Sequence, residues 1–515
     1  MLFNSYEFLF VFLPVCLAGF FLLGSRGWLR AASLWLSAAS LGFYAWWNPD
    51  STQPWSPKYL ALILTSIVFN YTLGVRISRA VERGNARGAK AALALGVTVN
   101  LGALAYFKYA GFLARNVNAL FGTQLDLGHI ALPLAISFFT FTQIAYLVDA
   151  YHGVTKEYNF RWYLLFVSFF PHLIAGPIVL YRSLMPQFAR KETWGFQGEN
   201  FAAGLSLFAF GLFKKVVFAD ALAPVANAVF GSVAGGATPG FFPAWIGALA
   251  YTLQLYFDFS GYSDMAIGIG RMFNVEFPLN FNSPYKARDI AEFWRRWHIT
   301  LSQFLRDHLY IPLGGNRVGE SRRYINLLTT MLLGGLWHGA GWTFVMWGGL
   351  HGLYLVVHQL WAKATRGAAW AASRPAGIAG WFMTLLAVIV GWVFFRAHTF
   401  GEAVTLLKGM AGLHGLALPL ELKKVAGSAL AHFGTTFAPL PCKPADLFVL
   451  ALTLAIALFA PNTEELFRLA QRVRATDVPP PLWRLTRGWA IGTAIVLAVA
   501  VLHLSGVTEF LYFQF

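Results

Sequence analysis

The chain is divided into long apolar runs separated by short polar loops. Runs of about 20 residues can cross the hydrocarbon layer of a bilayer as helices. Hydrophobic residues make up 57% of the 515 residues and charged residues 12%, whereas soluble domains carry about 25% charged residues. The sequence therefore predicts a multi-pass membrane protein. The predicted spans lie at 7–24, 29–47, 59–75, 91–107, 130–148, 162–180, 201–221, 241–257, 342–361, 378–395, 446–460 and 488–504.

The distribution of Lys and Arg predicts how the spans are oriented, because loops rich in these residues stay in the cytoplasm. The loops predicted to be cytoplasmic lie at 75–90, 314–324, 362–374 and 468–487. The loop at 47–58 and the segment from about 397 to 445 carry few basic residues and are predicted to lie outside, as are both termini. The same basic loops account for the net charge of +16. The bilayer is therefore the expected partner, and nucleic acid, the first alternative for a basic chain, is not expected.

The ends and the cysteines of the sequence add few constraints. The first apolar run lacks a basic leader and a small-residue cleavage site, which predicts a retained span and not a removed signal peptide. The two cysteines, Cys16 and Cys442, predict neither a disulfide framework nor a thiolate metal site. The sequence holds no HExxH, no paired His/Cys set and no Walker A motif, so no metal site is predicted.

The segment GGLWHGAGWTF (334–344) places one titratable ring, His338, in an apolar stretch. As a helix, the stretch from Tyr324 to His338 covers about 21 Å, which is less than the roughly 30 Å of hydrocarbon. The ring is therefore expected at membrane depth. Glycines at 334, 335, 339 and 341 are expected to loosen the helix. Ionisable residues at that depth are candidate functional residues.

The segment 287–317 has an apolar stripe and a charged face at helical spacing, which predicts one strongly amphipathic helix. It could lie on the cytoplasmic leaflet or form the wall of a hydrated tunnel. His298 falls at the edge of the apolar stripe, one turn after Trp294 and one before Ser302. An interface histidine and a functional histidine both fit this position. The functional interpretation gains weight if His298 meets His338.

Other polar groups interrupt apolar runs. Asp258 and Asp264 lie in YFDFSGYSDMAIGIG, where an acid costs about 2.5–3.5 kcal/mol. They could cap a broken helix, pair with a membrane Arg or take part in chemistry. For Lys214 and Lys215 in 201–221, snorkelling to an interface and binding an anionic cofactor are alternatives. The segment 169–182, with two prolines, is expected to contain a helix break.

The chain resembles the membrane-bound O-acyltransferase (MBOAT) family. Its closest likeness is to the bacterial alginate O-acetyltransferase subgroup, which includes similar enzymes for peptidoglycan and cellulose acetylation. The string WRRWHITLS, followed by LWHG, is the most specific match, and the resemblance is weakest over 185–240 and 397–485. The matching stretches are MLFNSYEFLFVFLPV, SFFTFTQIAYLVDAY, FFPHLIAGPIV, YFDFSGYSDMAIGIGRMF, FNSPYKARDIAEFWRRWHITLSQFLRDHLYIPLGGNR, GGLWHGAGWTFVMWGGLHG and FLYFQF.

The resemblance implies an all-α polytopic fold with tilted, broken, re-entrant and amphipathic helices around a central tunnel. About 11–13 transmembrane helices are expected at the usual span length. We expect one integral membrane domain over 1–515, with a catalytic core at 91–361 that contains the two-histidine region 287–351. His338 matches the family's catalytic histidine, and His298 matches its second, commonly required position.

The expected reaction moves an acetyl group from a thioester to a hydroxyl. Imidazole suits the base, because its unperturbed pKa of about 6.5 lets it accept and return a proton near neutral pH. His338 is the expected base, and His298 would orient the donor or assist proton transfer. Candidates for binding substrate or donor, or for stabilising the oxyanion, are Trp337, Trp342, Trp294, Asp258, Asp264 and Ser302.

The expected donor is acetyl-CoA or another acetyl thioester from the cytoplasm, with no permanently bound cofactor. The expected acceptor is a polysaccharide such as alginate, or a periplasmic protein that passes the acetyl group on. This places the chain in a bacterial inner membrane. The alternatives are a transporter for the donor or glycan, which broken helices would also fit, and an assembly scaffold.

Overall fold

The computed structural model describes residues 2–46, 57–128, 130–174, 176–420, 423, 436–468, 482–504 and 511. Most of the predicted outside loop at 47–58, much of the basic loop at 468–487 and nearly all of the terminal FLYFQF lie outside these residues. The described residues form helices and one pair of two-residue parallel strands, β1 (Leu418–Pro419) and β2 (Phe437–Ala438).

The α-helices follow one another with short connections. They are α1 Leu13–Ser25, α2 Leu29–Ala45, α3 Pro57–Glu82, α4 Ala86–Leu104, α5 Ala110–Phe121, α6 Ile136–Tyr151, α7 Phe160–Ser168, α8 Phe170–Leu173, α9 Tyr181–Phe188, α10 Gly198–Phe213, α11 Asp220–Ala234, α12 Phe241–Met272, α13 Ile290–Arg296, α14 Ile299–Leu305, α15 Glu320–His338, α16 Trp342–Ala364, α17 Arg374–Arg396, α18 Phe400–Met410, α19 Pro444–Phe459, α20 Thr463–Phe467 and α21 Arg487–Leu502. The π-helical segments are Phe8–Phe12, Ala105–Tyr109, Lys214–Ala219 and Arg306–Tyr310, and the 3₁₀ segments are Lys191–Trp194, Pro284–Lys286 and Ala369–Ala372.

Within the described part of the chain, five helical stretches are long and apolar enough to cross a membrane. They are Phe8–Ser25, Lys58–Glu82, Ala86–Phe121, Gly198–Ala234 and Arg374–Arg396. The prediction of an all-α polytopic membrane protein is confirmed. The expected break in 169–182 is also confirmed, because α7 ends at Ser168 and the four-residue helix α8 follows. Pro171 has no backbone N–H to continue the ladder.

The chain divides into two compact units. The first comprises residues 1–212, 262–279 and 467–498, and the second 213–261, 280–466 and 499–515. The single domain over 1–515 and the catalytic core at 91–361 stay predictions. In the first unit, the buried amides of Asn70 and Asn100 exchange hydrogen bonds of 3.2 and 2.6 Å between α3 and α4. Buried amides paired in this way avoid the cost of an unmet polar group.

The hairpin of α15 and α16 in the second unit depends on glycine. A Cβ at Gly335 would collide with the backbone oxygen of Phe344, and one at Gly348 with that of Met331. The two helices therefore approach as closely as backbone allows. The expectation that Gly334 and Gly335 loosen the helix is wrong, because α15 continues through both to His338. In a membrane helix, small residues serve close packing.

The segment 287–317 does not form one amphipathic helix, and that prediction is wrong. The helices α13 and α14 are separated at His298, whose backbone has a left-handed φ of 41°. This conformation ends a right-handed helix and is rare for residues with a Cβ. It is held by a hydrogen bond of 2.9 Å from the Ile299 N–H to the Asn280 carbonyl. The helical wheel is therefore not a guide to where His298 points.

Candidate active site

His338 is the last residue of α15, and the chain leaves the helix directly after it. Gly339 and Gly341 are both extended, and α16 begins at Trp342. The helix thus presents His338 at its end, where the expected break lies. Its side chain is 8% exposed, so the ring is nearly enclosed by protein.

Aromatic rings enclose His338 within the second unit. Their centroids lie 4.9 Å away for Trp337, 5.1 Å for Trp347 and 5.3 Å for Phe395. Trp347 and Phe395 meet the imidazole nearly edge to face, an arrangement that aromatic pairs favour. The rings fix the orientation of His338 and limit the access of water to it.

His298 belongs to the same group of rings. The two imidazole centroids are 6.4 Å apart, and His298 also lies 6.2 Å from Trp337. The structure therefore brings together the two histidines that the sequence separates by 40 positions. We call His298, His338, Trp337 and Trp347 the two-histidine site.

The His298 ring is fully buried and held from one side. Its Nδ1 lies 3.1 Å from Oδ1 of Asn280, and the ring stands edge to face against Phe259 at 4.8 Å. Asn280 is itself fully buried. The side chain of Asn280 thus ties one nitrogen of the ring, while the other nitrogen, Nε2, belongs to the rest of the site.

Several buried nitrogens at this site have no hydrogen-bond partner among the described residues. They are Nε2 of His298 and Nε1 of Trp294 and Trp347. Trp347 lies beside His338, and Trp294 packs on Trp347 at a centroid distance of 5.8 Å. Buried polar atoms are nearly always satisfied in folded proteins. Unmet nitrogens gathered around two histidines therefore indicate a place for a polar ligand or water.

The remaining predicted site residues in the second unit occupy different settings. Trp337 is buried beside both histidines, whereas Trp342 is 62% exposed at the start of α16. Ser302 is half-buried, and its hydroxyl donates to the carbonyl of Trp297 at 3.3 Å. Trp337 thus lies at the site, and the Ser302 hydroxyl is engaged with its own helix.

Asp258 lies in a buried ion cluster. Its carboxylate is 2.9 Å from Nζ of Lys215, which also lies 2.5 Å from the carboxylate of Asp220. The backbone N–H of Leu511 donates to the second oxygen of Asp258 at 3.2 Å. We call Lys215, Asp220 and Asp258 the lysine cluster. Lys215 is 1% exposed, so snorkelling, the simpler interpretation of this lysine, is wrong.

Asp264 lies on the same helix, α12, in the part that belongs to the first unit. It is buried. Because α12 is continuous from Phe241 to Met272, neither acid caps a broken helix there, and that alternative is wrong. A role for either acid in binding substrate stays a prediction.

The two further histidines of α16 are accounted for without chemistry. His351 is fully buried between Trp347 and Trp294, at 4.8 and 5.3 Å. His358 lies 3.7 Å from a carboxylate oxygen of Asp289. The first is a packed core histidine, which was the simpler interpretation, and the second pairs with an acid.

Charges on α13 are partly tied up locally. Glu292 and Arg296 form an ion pair at 2.8 Å, and the backbone N–H of Arg288 donates to Glu292 at 2.7 Å. Partial burial raises the pKa of Glu292, but these hydrogen bonds outweigh it and hold the pKa below its usual value. Arg306 pairs with Asp307 in the same way. Arg295, Arg317 and Arg322 are the exposed arginines of this region.

Sequence patterns did not indicate Asn280, Trp347 or Phe395. Asn280 lies in PLNFNSP, 18 positions before His298, and Phe395 lies on α17, 57 positions after His338. Nothing in their spacing relates them to the histidines. Only the folded chain brings them to the rings.

The fold and the site together define an all-helical membrane protein with two buried histidines. The model of the membrane-bound O-acyltransferase family matches residues 92–397. The chain is 45% identical to the peptidoglycan O-acetyltransferase of Helicobacter pylori, over 84% of this chain and 83% of that one. It is 45% identical to the "probable alginate O-acetylase AlgI" of Pseudomonas aeruginosa, over 80% and 75% of the two chains. It is 39% identical to the protein of the same name from Pseudomonas fluorescens, over the whole of both.

The chain belongs to the membrane-bound O-acyltransferase family, as its sequence motifs indicated. It is an acyltransferase of the membrane. The prediction of an enzyme is therefore confirmed. The roles of the individual site residues stay predictions.

Proposed function

We propose that this protein is an O-acetyltransferase of a bacterial inner membrane. It moves an acetyl group from a cytoplasmic thioester to a hydroxyl on the extracytoplasmic side. The observation that carries the proposal is the two-histidine site, with imidazole centroids 6.4 Å apart and unmet nitrogens on His298 and Trp347. The names of the relatives, which acetylate peptidoglycan and alginate, support acetyl as the group and a polysaccharide as its destination.

The reaction needs a base, an activated acyl donor and relief for the developing oxyanion. In the proposed step, His338 takes the proton of the acceptor hydroxyl as the hydroxyl oxygen attacks the thioester carbonyl. The new C–O bond forms, the C–S bond breaks, and the proton passes from His338 to the departing thiolate. The products are an acetyl ester and a free thiol. The aromatic enclosure of His338 supports this role, because it limits competing hydrolysis by water.

His298 would act beside His338, either on the acyl donor or on the proton. Its ring lies close enough to share one substrate with His338, and its Nε2 is buried without a partner among the described residues. Trp337 contacts both histidines, which keeps its indole N–H as a candidate for the oxyanion. Trp342 is exposed and is the weaker candidate.

The proposed donor is acetyl-CoA or another acetyl thioester, which binds as a substrate and not as a resident cofactor. Basic loops predicted to be cytoplasmic would attract an anionic donor. The exposed arginines 295, 317 and 322 are the best placed for this, since Arg296 and Arg306 are paired with acids.

The proposed acceptor is an exopolysaccharide such as alginate, a cell-wall glycan, or a periplasmic protein that passes the acetyl group on. The basic loops support an orientation with both termini in the periplasm. The names of the relatives favour a glycan as the final acceptor.

The test is the His338→Ala variant, produced in the parent bacterium in place of the normal protein. We expect O-acetyl groups on the cell wall and the exopolysaccharide to fall to background, with the variant still in the membrane at normal level. His398→Ala is the matched control, because His398 is an exposed histidine of the same unit. Normal acetylation by the His338→Ala variant would contradict the proposal.

A further inference from the structure

We propose that Asn280 is a positioning residue that fixes the tautomer of His298, with the proton on Nδ1 and a free lone pair on Nε2. His298 then enters the reaction as a hydrogen-bond and proton acceptor and not, in its neutral form, as a donor to the oxyanion. This inference deepens the proposed function and rests on it for its catalytic meaning, although the tautomer itself does not depend on activity.

The orientation of the Asn280 amide follows from its neighbours. Oδ1 lies 3.4 Å from the backbone N–H of Thr300 and 3.0 Å from its hydroxyl. A backbone N–H can only donate, so the amide atom that faces it must be the oxygen. If the amide were flipped, its NH₂ group would oppose a backbone N–H in a fully buried place, which is costly.

The tautomer of His298 follows from that orientation. Nδ1 lies 3.1 Å from the same oxygen, and an oxygen that accepts here can only receive a proton from the ring. A neutral imidazole has one N–H and one lone pair. With the N–H on Nδ1, the lone pair is on Nε2. Orientation of an imidazole through its other nitrogen is the way a base is held in the correct tautomer.

The backbone around His298 reinforces the same arrangement. The Ile299 N–H donates to the Asn280 carbonyl at 2.9 Å, next to the left-handed turn at His298. Asn280 therefore holds the main chain through its carbonyl and the ring through its side chain. Both contacts aim Nε2 away from Asn280, and the ring lies beside Trp337 and His338.

The direct test is the ¹⁵N spectrum of the full-length protein, labelled on its histidine rings and held in detergent. Protonated and bare ring nitrogens have well-separated shifts, and the His298 signals are identified by their loss in His298→Gln. At about pH 8, where an ordinary imidazole is neutral, we expect a protonated Nδ1 and a bare Nε2. A protonated Nε2 would overturn the proposal, whether or not the protein proves to be an acetyltransferase.

Three variants test the consequence for catalysis. Asn280→Leu removes the acceptor for Nδ1, and we expect kcat for acetyl transfer to fall on the order of 10²-fold or more, as when a base loses its orientation. Asn280→Asp keeps an oxygen facing Nδ1, and we expect kcat within about tenfold of the unchanged protein. Asn326→Leu is the control, since Asn326 is equally buried in the same unit; its kcat should change less than about threefold per folded molecule.

The pattern of the results separates the possible failures. Full kcat in Asn280→Leu, or equal losses in Asn280→Leu and Asn280→Asp, would overturn the positioning role. If Asn280→Leu does not fold, the ¹⁵N spectrum and Asn280→Asp still decide. Failure of the proposed function would instead appear as normal acetylation by His338→Ala, with the His298 tautomer as predicted.

Discussion

Two buried polar groups in the same compact unit differ in whether their hydrogen bonds are complete. In the lysine cluster, Lys215 lies between two carboxylates at 2.5 and 2.9 Å, and a backbone N–H binds Asp258 as well. In the two-histidine site, nitrogens of His298 and Trp347 are buried with no partner among the described residues. One group is closed upon itself, and the other is open.

The difference teaches which polar residues of a membrane protein are structural and which are available for chemistry. A buried charge must be paired, and removal of one partner leaves the other uncompensated. An open nitrogen costs stability and persists only where something binds to it. Sequence alone placed Asp258 and His338 in the same category, as titratable groups in apolar runs. Their partners separate them.

The largest expected effect on stability belongs to the lysine cluster. Lys215→Met leaves two buried carboxylates without their cation, and we expect a loss of about 3–5 kcal/mol in the free energy of unfolding. The measurement is thermal unfolding of the purified protein in detergent. Asp258→Asn added to Lys215→Met removes one stranded charge and should recover part of the loss. An unchanged melting temperature in Lys215→Met would remove the distinction between the two groups.

A smaller effect is expected where α15 and α16 touch. Gly348→Ala forces a Cβ against the backbone oxygen of Met331, and overpacking of this kind costs about 1–3 kcal/mol. Since α15 carries His338 at its end, acetyl transfer should also fall. Gly349→Ala is the matched control, because its Cβ would meet only Leu332 Cδ2 at 3.4 Å. Equal behaviour of the two variants would show that close helix packing does not position His338.

The smallest effect is expected at the exposed arginines, which neither group contains. Arg295→Glu, Arg317→Glu or Arg322→Glu should each raise the KM for acetyl-CoA a few-fold, with kcat unchanged. The effect should shrink as salt increases, because exposed charges are screened. Lys408→Glu is the control, since Lys408 is exposed in the segment predicted to lie outside. A KM that does not respond to the arginines would leave donor attraction to other parts of the chain.

The general fold was accessible from the sequence because the bilayer imposes it. Long apolar runs and basic loops predicted a helical membrane protein, and span length placed His338 near a helix end. The same reasoning failed for 287–317. Periodicity describes a regular helix, and it could not detect that His298 adopts a left-handed backbone held by Asn280, 18 positions away.

The site was accessible only in part. Its two histidines stood out as titratable rings in apolar surroundings, and the resemblance to the family paired them. Asn280, Trp347 and Phe395 did not stand out, because an amide and two aromatic rings are ordinary in such a chain. Their importance comes from contacts between α15, α16, α17 and the segment before α13, which no local pattern encodes.

The most direct test of the central claim compares the open and closed groups in one assay. Membrane vesicles of the parent bacterium, which carry the unchanged protein, His338→Ala or Lys215→Met, receive labelled acetyl-CoA, and label on the glycan is counted per folded molecule. We predict that His338→Ala loses transfer on the order of 10²–10⁴-fold with normal thermal stability. Lys215→Met should lose stability but keep transfer within about tenfold. Normal transfer by His338→Ala, with transfer abolished in folded Lys215→Met, would contradict the account.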